Sequence, residues 1–298
     1  MTSSTDRTVL VTGATGSTGQ AAVQESLELG MHVRALVRGH DERSQALADL
    51  GAEVVVGDLL DINSLGAALE GADAACFIFP IHPGLIQAAV NFAQAVRETG
   101  VPVLLNLSQR SADRAAVSPS SRDEWLAEEV FNWAIPNVTH LRPTVFLDQL
   151  LYPWILRPLQ QGVLRVPAGR GRCSPVSATD RGRAIAVLLN EPSRRVGKIT
   201  DLSGPVEMDF AQLAAELSEA LGREIVYQPP SVEELGATLR EGGRSPYIVE
   251  SVTGIWTEYQ AGAMAGSDNN VERITGRRAM SVGEFARAHV DILNSSGS

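Results

Sequence analysis

The chain has 298 residues, 44% apolar and 20% charged, enough to bury a substantial core in one large or two small domains. Its net charge of −10, with no basic run of any length, excludes a protein that grips nucleic acid through a clustered basic face. Cys76 and Cys173 stand alone and far apart, which builds neither a disulfide framework nor a metal site.

The opening MTSSTDRTVLVTG lacks a charged segment followed by an apolar one, so no signal peptide is read there. The longest unbroken apolar run, Ala74 to Ile81, is far short of the roughly 18 residues of a membrane helix. A soluble, cytoplasmic protein with no membrane partner is expected. Along the chain, TVLVTG reads as a strand, GSTGQAAVQESLELG as a helix stopped by Gly30, and HVRALVR as a second strand. DERSQALADLG, EVVVGD, DINSLGAALEG, DAACFIFP, GLIQAAVNFAQAVRETG and VPVLLNLS continue helix, strand, helix, strand, helix, strand. SRDEWLAEEVFNWA and VTHLRP add one more pair.

This alternation predicts βαβ units and a parallel sheet covered on both faces, wound in the doubly wound α/β arrangement by right-handed crossovers. After Pro143 the rhythm changes. FLDQLLYPWILRPLQQG is helical but interrupted by Pro153 and Pro158, and short strands rich in Pro and Gly follow. Three helical stretches come next: DFAQLAAELSEALG, SVEELGATLREGG and SVGEFARAHVDILN. The expected division is a nucleotide-binding domain at 1–145, to which a segment near 170–200 can also contribute, and a smaller mixed C-terminal substrate or cover portion at 146–298. Frayed ends are expected at Met1–Arg7 and Ser295–Ser298.

Gly13, Gly16 and Gly19 in LVTGATGSTGQ follow a strand and open a helix, the context in which a glycine triplet cradles a dinucleotide pyrophosphate. The spacing G-x-x-G-x-x-G is one residue longer in its first half than the commonest fingerprint. About 20 residues on, NAD sites carry an acid for the ribose 2′-hydroxyl, whereas NADP sites use an arginine for the 2′-phosphate. Arg38 occupies that place, with Asp41 and Glu42 falling into the next helix, so NADP(H) is the expected cofactor. Arg34 either assists or points elsewhere by strand alternation.

VLVTGATGSTGQAAVQESLELGMHVRALVR, VVVGDLLD, LLNLSQRSA, WLAEEVFNWA, VTHLRPTVF and GRRAMSVGEFARAHVDIL together resemble the NmrA-like branch of the atypical short-chain dehydrogenases, over nearly the whole chain. The resemblance implies a Rossmann domain that binds NADP and a small C-terminal substrate domain. It implies that Thr12, Gly13, Thr15, Gly16, Ser17, Thr18 and Gly19 line the pyrophosphate and Arg38 holds the 2′-phosphate. Asp58 and Leu59 would flank the adenine, Phe79 and Pro80 would pass beneath the nicotinamide ribose, and Pro143 and Thr144 would close over the ring. Ser108 matches the serine that faces the nicotinamide in the wider superfamily.

The sequence departs from that superfamily where a Tyr-x-x-x-Lys pair normally supplies the proton: the matching helix has Trp125 and Glu129. Relatives in this branch often lack the pair, and include redox sensors as well as quinone and enone reductases. An enone or quinone takes hydride at carbon and can be protonated afterwards, although a general acid still helps by about 10²- to 10⁴-fold.

Replacement candidates are Ser108, His82 in the loop after the fourth strand, and Tyr152 beside Asp148 where the cover begins. Each has a plain alternative: a strand-end cap, a loop histidine, an amphipathic cover residue. Arg110 reads as an enolate stabiliser or a surface ion pair, His140 as a satisfied strand histidine, and Trp125 and Trp133 as packing. No G-x-S-x-G elbow supports a hydrolase. Two functions stay open: an NADPH-dependent reductase of a small quinone, enone or related carbonyl, or an inactive NADP(H)-sensing regulator that acts through a protein partner.

Overall fold

The computed structural model describes residues 7–295. Residues 1–6 and 296–298 of the expected frayed ends lie outside the described residues. Arg7 lies within them and is tied down, its Nη1 donating to the carbonyls of Leu189 and Asn190 at 2.7 and 2.8 Å.

β-branched and aliphatic runs form the strands, and the amphipathic stretches between them form helices. The order is β1 (Thr8–Val11), α1 (Ser17–Glu28), β2 (His32–Val37), α2 (Glu42–Asp49), β3 (Glu53–Val56), α3 (Gly66–Leu69), β4 (Ala74–Ile78) and α4 (Leu85–Thr99). Then come β5 (Leu104–Leu107), α5 (Pro119–Ala134) and β6 (Val138–Pro143). DINSLGAALEG departs from the single helix expected, splitting into a 3-10 turn at Ile62–Ser64 and the one-turn α3. Short polar side chains compete with the helix there. Asp61 accepts from Asn63 N, and Ser64 Oγ bonds the backbone of Asp58 and Asp61.

Beyond β6 lie a 3-10 segment (Leu147–Leu151), α6 (Pro153–Gln160), β7 (Val163–Leu164), β8 (Arg172–Cys173), α7 (Ala178–Asn190) and β9 (Ile199–Leu202). They are followed by β10 (Met208–Asp209), α8 (Phe210–Leu221), β11 (Val226–Tyr227), α9 (Val232–Glu241) and α10 (Pro246–Gln260). Last come α11 (Asn270–Thr275), α12 (Val282–Ala288) and α13 (Val290–Asn294). Pro153 opens α6 rather than interrupting it, since the first helical position needs no N–H donor. Helices α7 and α10 were not expected, because a mid-helix glycine or a β-branched run disfavours helix intrinsically. Packing overrides that preference. A Cβ on Gly182 of α7 would lie 2.5 Å from Ala21 of α1, and one on Gly254 of α10 would lie 2.6 Å from Ser118 Cα.

Seven parallel strands make the central sheet in the order β3-β2-β1-β4-β5-β6-β9. This is an α/β Rossmann-type fold in which the strand order reverses at β1 and β4, so a crevice opens at their carboxyl ends. Alternation along β1 sends Val9 and Val11 into one core with Ala22 and Ile185, and Leu10 into the opposite core with Phe77, Phe92 and Phe131. A third core, with Leu147, Ile155, Phe210, Trp256 and Phe285, belongs to the C-terminal part. Helix α7 and strand β9 return to the sheet from beyond residue 145. No helix among the described residues is long and apolar enough to cross a membrane.

Candidate functional site

The glycine loop divides its labour by geometry. Gly13 has φ +58°, where a side chain is strained, and a Cβ there would also meet the Ile78 carbonyl oxygen at 2.9 Å. A Cβ on Gly19 would fall 2.2 Å from Gly13 O, so this glycine lets α1 sit down on the loop. Gly16 meets nothing closer than 3.4 Å and is exposed, which leaves its face clear for a ligand. It is also the N-cap of α1: its carbonyl accepts from Gln20 N at 2.8 Å, but no side chain caps the N–H groups before that. A bare helix start with its positive dipole end is an anion site. Thr12 pins the loop to the neighbouring strand: its Oγ1 accepts from Ile78 N at 2.8 Å and donates to Ile78 O at 3.0 Å.

Because the sheet is parallel, the other expected residues fall on the same edge. Arg38, just past β2, is exposed and makes no hydrogen bond or ion pair with another described residue. Arg34 is consumed elsewhere: it donates to the carbonyls of Ala68 and Glu70 and to Glu53, and does not assist Arg38. Asp58 Oδ1 accepts from Leu60 N, and Leu59 O accepts from Asn91. Phe79 is half-buried and stacks on Phe77 with ring centroids 6.3 Å apart, and Pro80 beside it is exposed. Thr15 and Ser17 are half-buried. Thr18 Oγ1 accepts from Arg181 Nε at 2.8 Å.

Arg181 is a sealed cation that the sequence reading missed. It also donates to Val176 O and Asp148 Oδ2, and its guanidinium lies 3.5 Å above the Phe146 ring. Burial pulls its pKa down, and the Asp148 charge opposes that. Asp148 is thereby a partner of Arg181 and ties the start of the cover to α1. Tyr152, the N-cap of α6, is 39% exposed. His82 is exposed, with Nδ1 2.7 Å from Pro83 O. Neither hydrogen-bonds to Ser108.

Ser108 ends β5. Its N–H donates to Leu141 O, but its Oγ is buried and has no partner among the described residues. Arg110 is half-buried and forms the ion pair that was one of its two expected readings: it pairs with Asp201 at 3.5 Å and donates to Ala265 O at 2.7 Å. Pro143 O accepts from Arg110 N, and Thr144 bonds Leu202 and Ser174. His140 is buried between Asn106 and Asn132, and desolvation pushes it down to about 4, which keeps it neutral.

On α5, Trp125 is half-buried with Arg114 5.9 Å from its ring centroid, and Glu129 accepts from Asn132. Trp133 is not packing: it is 77% exposed. Two other acids on this helix went unnoticed. Glu128 is buried and takes Nε and Nη2 of Arg142 at 2.8 and 2.6 Å. Glu124 has its Oε2 buried without a partner. The signal was available, since 124, 127, 128 and 131 share the face that Ala127 and Phe131 bury.

Two cavities lie off this edge. One of about 230 Å³ sits at the amino ends of β5 and β6 against Val103, Asn137 and Leu188. The other, of about 370 Å³, separates α9 from the start of α5. The glycine cradle, the bare helix start and the unpartnered Ser108 oxygen together fit a dinucleotide lying along the strand ends.

The NmrA-like family model matches residues 5–246. The chain is 27% identical over 284 residues to the NAD(P)H azoreductase of Xenophilus azovorans, covering 94% of this chain and 97% of that one. Its fold matches the triphenylmethane reductase of Citrobacter sp., solved with NADP(H), with TM-score 0.78 and 25% identity over 95% and 99% of the two chains. An NADPH-dependent quinone oxidoreductase of Escherichia coli, solved with NADPH, has TM-score 0.79 and 22% identity over 95% and 99%. The chain belongs to the NmrA-like family.

Proposed function

We propose, from NmrA-like membership, that this protein is an NADP(H)-dependent reductase of a small conjugated acceptor such as a quinone, an enone or a related carbonyl compound. One observation carries the reading: a glycine-cleared, uncapped helix start shares the sheet edge with a serine oxygen that is buried and unpartnered. When bound, the reduced nicotinamide supplies hydride. Thr12, Gly13, Thr15, Gly16, Ser17, Thr18 and Gly19 hold the pyrophosphate, and Arg38 holds the 2′-phosphate. Asp58 and Leu59 flank the adenine, Phe79 and Pro80 support the ribose, and Pro143 and Thr144 shield the ring.

The unit 1–145, with the returning segment, forms the cofactor domain, and 146–298 supplies the cover. Ser108 orients the acceptor, with His82 and Tyr152 lining the approach. We place the reaction in the cytoplasm. The acceptors named for the relatives, azo and triphenylmethane compounds and quinones, are all delocalised. Such acceptors spread the incoming charge, so a site without Tyr-x-x-x-Lys still suffices.

Calorimetric titration with NADPH, NADP⁺, NADH and NAD⁺ tests the reading, followed by a screen for oxidation of NADPH with quinones, enones and azo compounds. Both NADP forms should bind more tightly than both NAD forms. Arg38→Glu should weaken the NADP forms by about 10- to 100-fold, the worth of a charge-assisted hydrogen bond. Unchanged NADP affinity in that variant would sink the Arg38 assignment. Tight nucleotide binding with no turnover on any acceptor would favour the regulator acting through a protein partner.

A further inference from the structure

Two carboxylates on α5 face the sheet, and a single guanidinium meets them. Glu128 takes the fork of Arg142 through Nε and Nη2, while the carboxyl of Glu124, one turn away, makes no hydrogen bond or ion pair with any described residue. Glu124 is half-buried, and its Oε2 is enclosed with neither a cation nor a donor in bonding reach, surroundings that favour the protonated carboxyl. Its charged surroundings are Asp123 and Glu128 on its own helix and Arg142 from β6. From α10 it faces Tyr247, whose hydroxyl donates to Asp123. Burial and the two acids raise the Glu124 pKa, and Arg142 only partly opposes them.

Position gives this acid a use. As a crossover helix between parallel strands, α5 runs against them, so its first turns stand at the carboxyl edge of the sheet. One turn before Glu124, Ser121 Oγ bonds Gln109 and Ser111, the residues that follow Ser108. One turn after it, Glu128 bonds Arg142, the residue before Pro143. Glu124 therefore lies between the ends of β5 and β6, at the edge where Ser108 Oγ is also buried without a partner.

We propose that Glu124, placed between the ends of β5 and β6, protonates the acceptor in place of the absent tyrosine, with Ser108 orienting the receiving atom. This rests on the reductase reading. The acceptor gains hydride at one end of its conjugated system and the Glu124 proton at the heteroatom of the other. Two electrons and two hydrogens are taken up, and the carboxylate left behind recovers its proton from solvent.

The test combines a turnover profile with a spectrum that needs no turnover. Infrared difference spectra across pH should show a protonated carboxyl persisting at pH 7 in the unmodified protein and missing in Glu124→Gln. If the unmodified protein has no such carboxyl, the proposal falls whatever the variant does. With an acceptor in hand, Glu124→Gln should lower kcat by about 10²- to 10⁴-fold. It should also flatten the alkaline limb of the profile and leave NADPH affinity unchanged. An intact alkaline limb, or a variant defective only in NADPH binding, would overturn it. If the carboxyl persists and the unmodified protein reduces nothing, the reductase reading has failed and takes the proton-donor role with it.

Discussion

Helices α1 and α5 both begin at the carboxyl edge of the sheet and are finished in opposite ways. Helix α1 starts on Gly16 with no capping side chain, with Gly13 three residues before it and Gly19 three after. Helix α5 starts on Ser118 with Pro119 behind it, and its first turn is saturated: Glu258 of α10 accepts from Ser118 N at 2.8 Å and from Ser121 Oγ at 2.7 Å. Ser118 Oγ is in turn satisfied by Ser251 O. A helix start attracts negative charge wherever it stands. In α1 no side chain takes up that attraction, and in α5 it is spent on docking the C-terminal part.

Substitutions at the two helix starts should therefore break different things. The largest effect on nucleotide binding is expected for Gly19→Ala. Its new Cβ would sit 2.2 Å from Gly13 O, so the loop must shift. Overpacking of about 1–3 kcal/mol, felt at the cradle itself, should weaken NADPH binding by up to roughly 100-fold. Unaltered affinity by calorimetry would remove the cradle from α1.

Glu258→Ala should do the converse, leaving buried donors on α5 unmet. A loss of about 2–4 kcal/mol in urea unfolding is expected, with nucleotide affinity changed far less. Equal losses in both would mean that the two helix starts are not separable.

At neutral pH the smallest effect concerns the far end of α5, where Asn132 meets His140. Burial holds His140 down at about 4, so between its ordinary value near 6.5 and about 4 the unfolded chain binds the extra proton. This contribution is complete above pH 6.5 and is lost as pH falls through that window. His140→Asn should reduce the loss of stability in urea between pH 7 and pH 4, by up to about 3 kcal/mol. An unchanged drop would place the acid sensitivity elsewhere.

The same contrast governs what could be read without coordinates. Gly13, Gly16 and Gly19 are legible because backbone conformation and close approach dictate the residue type, and everything they answer to lies within a few positions. Glu258 with Ser118 and Arg181 with Thr18 join residues 140 and 163 apart, and periodicity carries no trace of such partners. Trp133 misled for a simpler reason. Eight residues along a helix turn about 80° past two full circles, enough to take it from the half-buried flank of Trp125 into solvent. Strand β9, ITDL, is too short and polar to announce itself, and it is a strand because β6 offers it a ladder.

Helix α7 carries one more consequence, for biosynthesis. Ile185, Leu188 and Leu189 share a core with Leu105, Leu107 and Leu141, and Gly182 lets α7 lie directly on α1. The first six strands therefore leave the ribosome with this face of their sheet covered only in part, by α1 and α2, and the rest stays sticky until α7 emerges. A chain interrupted before α7 is released as a half-clad sheet that a chaperone must hold.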